Sequence, residues 1–148
     1  MYIVIENYDA SEGNSIGIAD KGLRNTGNYV SRVIDGDTFV LGDGERVRLI
    51  CIDTPENGED GFEEAKEFLE DLVLEREIRL EKDVSDRDKY SRLLRYVWVK
   101  LSKYDSLDDG YEVDDDLNVF VNREIVRRGY GKVYKYPPDT SLCDEIGE

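Results

Sequence analysis

Carboxylates lie at two positions where the sequence predicts strand ends. Asp37 follows the tight-turn dipeptide Asp35-Gly36, while Asp53 and Glu56 flank a proline that ends a later strand. Carboxylate oxygens suit Ca²⁺ and, in a stricter octahedral geometry, Mg²⁺. If the two strand ends meet, these carboxylates and a backbone carbonyl could hold one divalent cation, and Ca²⁺ fits better than Mg²⁺. The alternative is that each aspartate only caps its turn, as aspartate commonly does.

Two arginines belong to the same parts of the chain. Arg48 lies on the strand that leads to Asp53, and Arg92 follows a polar loop at 88–91. The planar guanidinium group matches the geometry of phosphate, so a cation beside two arginines would suit the cleavage of a phosphodiester. Alternatives remain open: Arg48 could belong to a structural ion pair, because an unpaired buried charge is costly, and Arg92 could simply be exposed.

Tyrosine is abundant, with ten residues in a chain of 148. Tyr134 and Tyr136 share one face of a predicted extended segment, because side chains on a strand alternate. With Lys89 and Tyr90 they could form a surface on which the bases of single-stranded nucleic acid stack. An equally good interpretation makes them amphipathic residues at the rim of a barrel.

Composition narrows the chemistry further. The chain has no histidine, which excludes Ser-His and Cys-His catalytic systems and most zinc sites. Its net charge of −15, taken alone, argues against a nucleic-acid partner, but residues 82–100 carry six bases against three acids. A local basic groove is therefore compatible with the negative net charge.

The two cysteines have different predicted surroundings. Cys51 is predicted to be a core residue and Cys143 to lie in a polar tail, and two cysteines without a motif do not predict a disulfide.

The chain carries no recognisable targeting or membrane segment. The first six residues lack the basic and apolar regions of a signal peptide, and no stretch approaches the length needed to span a bilayer. We therefore expect a cytoplasmic protein by default, or a secreted one if a signal has been removed. We also expect a monomer without a membrane partner.

The elements that must position these residues are predicted from hydrophobic periodicity. Apolar residues at helical spacing, with acids between them, indicate an amphipathic helix at 61–75, and Asn122 is predicted to cap a second helix at 123–128. Strands with a helix between the third and the fourth favour an α+β, mainly β fold, a closed or partly open five-stranded barrel of the oligonucleotide-binding (OB) type. The five strands are predicted at 29–34, 38–41, 46–52, 77–81 and 93–99.

A single domain, at 29–138, is expected to contain all of these elements. Residues 1–28 are predicted to be an N-terminal extension, and residues 139–148 a C-terminal tail. Residues 101–117 read as an acidic insertion in the domain.

Four segments together resemble one known family. Residues 34–38, 48–56 and 88–92 resemble the three signature blocks of the staphylococcal nuclease (thermonuclease) family, in the same order, and residues 122–132 are similar to its second-helix segment. The resemblance covers roughly residues 29–138. It implies an OB-type barrel and the hydrolysis of DNA and RNA with Ca²⁺. The family's third, C-terminal helix is expected to be missing here.

The resemblance also implies a role for the carboxylates. Asp37 and Asp53, with the backbone carbonyl of Thr54, would hold Ca²⁺, and Glu56 would act as general base for the attacking water. A bound cation polarises a phosphoryl oxygen, which is consistent with these roles.

For the basic and aromatic residues, the resemblance implies binding of the substrate. Arg48 and Arg92 would grip the scissile phosphate and offset the charge that builds up in the transition state. Ser91 stands where the family has glycine, so a positive φ at this position would be strained in this chain. The positions that would contact nucleotide are Lys89, Tyr90, Tyr134 and Tyr136.

The sequence therefore predicts a calcium-dependent nuclease without sequence specificity. One alternative is a catalytically weak or inactive barrel that binds single-stranded nucleic acid. Another is a domain that binds a basic protein partner through the acidic runs at 57–75 and 104–117. The enzyme is favoured because the whole set of candidate residues is present: Asp37, Arg48, Asp53, Glu56 and Arg92.

Overall fold

The computed structural model describes residues 27–102 and 110–147. Over these residues the fold is α+β and mainly β, as predicted. The predictions for residues 1–26, and for residues 103–109 of the acidic insertion, lie outside the described residues. In chain order the elements are β1 (Val30–Asp35), β2 (Thr38–Leu41), β3 (Arg46–Leu49), β4 (Ile52–Asp53), α1 (Phe62–Val73), β5 (Ile78–Glu81), β6 (Leu93–Lys100), β7 (Asn118–Phe120), α2 (Val121–Arg127), β8 (Lys132–Val133) and α3 (Cys143–Ile146).

Six strands form one curved sheet in the order β1-β2-β3-β6-β5, with β7 also paired to β6. The neighbours are antiparallel except β3 and β6, which run parallel with Arg48 opposite Leu94. β1 and β5 are the two ends of this order, and an isolated bridge between Tyr29 and Glu77, rather than a continuous ladder, joins the residues that precede them, so the sheet is not closed. The parallel pairing is important for the site, because it sets the loop before β6 beside Arg48.

Helix α1 is the predicted amphipathic helix, shorter than 61–75 by one residue at its start and two at its end. It lies against β1. Leu74 is extended, with ψ of 132°, and this ends the helix. The stripe at helical spacing is buried as the periodicity predicts, and consists of Ala65, Phe68, Leu69, Leu72 and Val73.

The prediction of one continuous strand at 46–52 is wrong. β3 ends at Leu49, and Cys51 has a φ of 71°, in the left-handed region. The chain therefore leaves the main sheet, and Ile52 and Asp53 pair with β8 in a second, two-stranded sheet. Asp53 and Arg48 therefore lie on different strands, although their side chains are close in space.

Asn122 does not cap α2, which starts two residues before the predicted position. Phe120 occupies the N-cap, and no side chain caps the helix. Asn122 is instead fully buried. Its Oδ1 accepts the N–H of Val97, and its Nδ2 donates to the carbonyls of Ile50 and Arg95. The amide therefore ties α2 to β6 and to the end of β3.

Residues 139–147, predicted as a tail, pack onto the domain. They include α3, whose Cys143 and Ile146 are buried, so the described chain has three helices where two were predicted. Cys143 also forms a disulfide with Cys51, a bond that the sequence did not predict. In the described ranges, no helix has the length and apolar character needed to cross a membrane.

Candidate active site

Arg48 lies between two of the predicted metal-binding carboxylates. Its Nη2 is 3.4 Å from Oδ2 of Asp37 and 3.7 Å from Oδ1 of Asp53. Its Nη1 donates hydrogen bonds to the carbonyls of Leu49 and Ile52, at 2.6 and 3.0 Å. The Arg48 side chain is still 18% exposed. Arg48 therefore forms structural ion pairs and still exposes part of its side chain to solvent.

Asp37 is buried, and both of its carboxylate oxygens accept hydrogen bonds. Oδ1 accepts the hydroxyl of Thr38 at 3.0 Å, and Oδ2 accepts the N–H and the hydroxyl of Thr54, each at 3.1 Å. The turn between β1 and β2 is thereby fixed to the residue after β4. Gly36 permits this approach, because a Cβ there would lie 2.7 Å from Cβ of Ala65 and 2.8 Å from Oγ1 of Thr54.

Asp35 adds another carboxylate to the same turn. Its Oδ1 accepts the N–H of Asp37 at 3.0 Å. Burial, followed by the negative charge of Asp37, raises the pKa of Asp35 to about 6, although the charge of Arg48 acts in the opposite direction. Negative charge is therefore crowded at this strand end, and a cation nearby would relieve the crowding.

The donor chemistry of this strand end fits a hard divalent cation. Asp37 and Asp53 each present a carboxylate oxygen to the same nitrogen, Nη2 of Arg48, and Thr54, whose backbone carbonyl is the third predicted donor, follows Asp53 directly. Donor sets made only of oxygen suit Ca²⁺. Glu56 is exposed, and its N–H donates to the carboxylate of Glu59; in the described ranges no ion pair joins Glu56 to Arg48. Across residues 27–102 and 110–147, no three acidic or cysteine side chains form a compact cluster able to hold a metal ion.

Arg92 is held by the carboxylate of Asp88. Arg92 Nε donates to Oδ2 at 2.7 Å, while Oδ1 accepts the N–H groups of Tyr90 and Arg92, both at 2.9 Å. Partial burial tends to raise the pKa of Asp88, but these hydrogen bonds outweigh it and hold the pKa below its usual value. Ser91 has a φ of 66°. The strained position expected from the sequence is therefore present.

The two arginines line the same cavity, which has a volume of about 390 Å³. Arg48 reaches it from β3, and Arg92 reaches it from the loop that the parallel pairing of β3 and β6 places next to that strand. Asp37 and Asp53 adjoin the cavity through their ion pairs with Arg48. Arginines from two different elements therefore border a single cavity.

The predicted nucleotide-binding residues line this cavity as well. The rings of Tyr134 and Tyr136 stack with their centroids 6.3 Å apart, and both side chains are largely exposed. Lys89 Nζ lies 5.2 Å from the centroid of the Tyr90 ring. Stacking surfaces beside basic side chains are the features that bind single-stranded nucleic acid.

A family model described as "Staphylococcal nuclease homologue" matches residues 46–146, about two thirds of the chain. The chain belongs to the staphylococcal nuclease family. All of the cavity residues named above lie inside the matched range. The resemblance noted in the sequence is thereby confirmed.

Individual members of the staphylococcal nuclease family are similar over most of this chain. A thermonuclease of Staphylococcus intermedius is 32% identical over 126 residues, which are 79% of this chain and 65% of the relative. Endonuclease YncB of Bacillus subtilis (strain 168) is 34% identical over 132 residues, with 79% and 53% covered. A micrococcal nuclease of Shigella flexneri is 33% identical over 122 residues, with 78% and 64% covered. The chain thus spans less than two thirds of the length of these relatives.

The part of the cavity wall that follows Tyr136 was not predicted. Asp139, which lines the cavity, accepts the N–H groups of Val84 and Ser85 at 3.0 and 2.7 Å. Cys51 also lines the cavity, and its disulfide with Cys143 joins residues 92 positions apart. Such a long separation leaves no local pattern, so the presence of two cysteines was the one signal available in the sequence.

Proposed function

We propose that the protein is a Ca²⁺-dependent nuclease that hydrolyses phosphodiester bonds of DNA, RNA or both without sequence specificity. The observation that carries this proposal is that Arg48 and Arg92 line one cavity beside the carboxylates of Asp37 and Asp53. Two guanidinium groups can bind one phosphate and offset the negative charge of its transition state. Relatives named as nucleases support the same activity.

Substrate binding in this proposal depends on the aromatic and basic wall of the cavity. Bases would stack on Tyr134 and Tyr136, and Lys89 would contact a phosphate. The net charge of −15 opposes the approach of a polyanion, so binding relies on this local group of cations. We therefore expect the affinity for substrate to fall steeply with salt, because phosphate contacts release counterions.

The acid–base chemistry is assigned to Glu56. Its side chain is exposed and can accept the proton of an attacking water. Asp37, Asp53 and the Thr54 carbonyl are the proposed ligands of Ca²⁺, which when bound supplies the charge that polarises a phosphoryl oxygen. Arg48, already paired with both carboxylates, would bind the phosphate from the lining of the cavity.

Cleavage of single-stranded and duplex DNA and of RNA, in Ca²⁺, in Mg²⁺ and in chelator, tests this function. Arg48→Ala, Arg92→Ala and Glu56→Ala are each expected to lower the rate by about 10²–10³. Arg79→Ala is the control, since Arg79 lies on β5 and does not line the cavity; its rate should match the parent. Cleavage that persists in chelator would refute the metal requirement.

A nucleic-acid-binding module without cleavage is the second candidate. It is favoured by Glu56, the proposed general base, which is exposed and is not among the described residues that line the cavity of Arg48 and Arg92. Binding of single-stranded DNA without any cut product in Ca²⁺ or Mg²⁺ would support this candidate over the nuclease.

The disulfide bears on where the protein works. Disulfides persist in oxidising compartments and are rare in the cytosol. The Cys51–Cys143 bond therefore supports secretion or another oxidising location over the cytoplasmic default. Alkylation of free thiols in protein taken directly from its source, followed by mass measurement, tests this: two free thiols would support the cytoplasm.

A further inference from the structure

Besides Asp88, a second group of side chains forms hydrogen bonds with the loop at 88–92. Glu45, directly before β3, forms a bidentate pair with Arg87, with Oε1–Nη1 and Oε2–Nη2 distances of 2.7 and 3.0 Å. The same Arg87 Nη1 donates to the carbonyl of Ser91 at 3.0 Å. Arg46 Nη2 donates to the carbonyl of Tyr90 at 2.5 Å. Two successive carbonyls of the loop are therefore held by side chains anchored at the start of β3.

The backbone of this loop needs such support. Ser91 adopts a φ of 66°, and a left-handed conformation costs free energy for any residue with a Cβ. Strained positions of this kind persist where the surrounding structure fixes them. The carbonyl of Ser91 is the one that Arg87 holds, and the next residue is Arg92.

We propose that Glu45, Arg46 and Arg87 form a clamp that positions the loop at 88–92, so that Arg92 faces the cavity. The hydrogen bonds from Arg87 lower the pKa of Glu45, and the pKa of Arg87 is raised in turn, as expected for a fully ionised pair. The role of the clamp in cleavage rests on the proposed nuclease function. The contacts of the clamp with the loop at 88–92 do not depend on that function.

Direct contact of Arg87 with substrate is the competing role, because Arg87 also lines the cavity. The two roles give opposite results for Glu45→Ala. If Arg87 binds phosphate directly, losing its acidic partner should lower KM and leave kcat unchanged. If the clamp positions Arg92, kcat should fall by about 10- to 100-fold with little change in KM, because small displacements of a catalytic group have effects of that size.

Three further variants separate the positioning of Arg92 from a general loss of stability. Glu81→Ala is the matched control: Glu81 pairs with Arg79 at 3.3 Å, is 52% exposed against 39% for Glu45, and lies outside the cavity. It removes the same charge and should leave kcat unchanged. Ser91→Gly relieves the strained φ at this position. Combined with Glu45→Ala, it is expected to restore most of the kcat that Glu45→Ala alone loses. Glu45→Gln, which keeps one acceptor for Arg87, should fall between Glu45→Ala and the parent.

The experiment measures kcat and KM on single-stranded DNA in Ca²⁺, together with amide hydrogen exchange of the loop at 88–92, in all of these variants. Low kcat and faster exchange in Glu45→Ala, with rescue by Ser91→Gly, support the clamp. A parental kcat in Glu45→Ala, or a lower KM alone, overturns it. If the unmodified protein does not cut, the proposed nuclease function fails. Amide hydrogen exchange of the loop then tests the clamp without a cleavage assay. Faster exchange in Glu45→Ala supports the clamp, and unchanged exchange overturns it.

Discussion

Cys51 and Cys143 are joined by a disulfide, with their Cα atoms 5.3 Å apart although 92 residues separate them in the sequence. Cys51 lies between β3 and β4, and its carbonyl accepts the N–H of Tyr134 at 2.8 Å. Cys143 is the first residue of α3. The bond therefore anchors the segment at 134–139, which forms one wall of the cavity, to the strand end beside Arg48.

Reduction of the disulfide is expected to lower the free energy of unfolding by about 2–5 kcal/mol, because a cross-link over a long loop restricts the unfolded chain. Urea unfolding with and without reductant, followed by the fluorescence of the single tryptophan Trp98, measures the change. A variant with Cys51→Ser and Cys143→Ser is the control, and its unfolding should not respond to reductant. Equal midpoints for the parent under both conditions would show that the bond does not stabilise the fold.

Asp88→Asn tests how the orientation of Arg92 contributes to cleavage. The asparagine Oδ1 can still accept the backbone N–H groups of Tyr90 and Arg92, but its amide nitrogen cannot accept from Arg92 Nε. We expect the rate of cleavage to fall about tenfold or more, since a hydrogen bond to a charged group contributes about 1.5–3 kcal/mol. Initial rates on single-stranded DNA in Ca²⁺ measure this loss.

Asp114→Asn is a matched control for this prediction. Asp114 Oδ1 accepts the N–H groups of Asp116 and Asn118, and its Oδ2 accepts Nδ2 of Asn118. The spacing repeats that of Asp88, and Asp114 does not line the cavity. Its rate should equal that of the parent, and a similar loss in both variants would mean that turn stability, rather than Arg92, explains the effect.

The parts of the fold that the sequence predicts well are those with strong local periodicity. Alternation places β1 and β2 to within one residue, and the apolar spacing in 61–75 predicts both α1 and its buried face. The kink at Cys51 could not be predicted this way. A φ of 71° is unfavourable for cysteine in isolation, and the contacts that hold Cys51, the disulfide with Cys143 and the hydrogen bond from Tyr134, come from distant parts of the chain.

The prediction that the candidate residues lie at one site came from the family resemblance more than from any local sequence pattern. Nothing local to Arg48 or Arg92 predicts that they share a cavity, because the parallel pairing of β3 and β6 is a long-range contact. The clamp was missed for the same reason, since Glu45 and Arg87 are 42 residues apart. Each is an ordinary surface residue by type and spacing, and only the folded chain pairs them.

Asn122→Ala is expected to destabilise the fold strongly. The buried amide satisfies the N–H of Val97 and the carbonyls of Ile50 and Arg95, and each unsatisfied buried partner costs about 1–3 kcal/mol. A loss of at least about 3 kcal/mol in urea unfolding is therefore expected. Asn118→Ala, which removes an exposed amide, should cost much less, and equal losses would refute the role given to Asn122.

Tyr96 gives the stability a distinct dependence on alkaline pH. Burial and, second, the hydrogen bond to Asp83 raise the pKa of Tyr96 to about 12. Because this folded-state pKa lies above the unfolded value of about 10, the stabilisation is fully present below about pH 10 and is lost as the pH rises through 12. Urea unfolding of the parent and Tyr96→Phe between pH 8 and 11 measures it. The phenylalanine variant should be less stable at pH 8 and lose less stability toward pH 11, and parallel curves would contradict the shift.

Arg48→Ala should tighten the binding of Ca²⁺ while it lowers the rate of cleavage. The guanidinium lies 3.4 and 3.7 Å from the two carboxylates proposed as ligands, so its charge opposes a cation there. A unit charge at about 4 Å contributes between about 1 and 4 kcal/mol as the effective dielectric constant falls from 80 to 20. Removing it should therefore raise the affinity for Ca²⁺ at least about fivefold in calorimetric titration.

Two variants make this last prediction decisive. Asp37→Asn and Asp53→Asn each remove a proposed ligand charge, so both should weaken Ca²⁺ binding, and Asp114→Asn should leave it unchanged. If Arg48→Ala instead weakens Ca²⁺ binding, the guanidinium must be what holds Asp37 and Asp53 in place, since its own charge can only repel the ion. The ion pairs of Arg48 would then be the scaffold of the metal site, and its fall in activity could no longer be attributed to the lost phosphate contact alone.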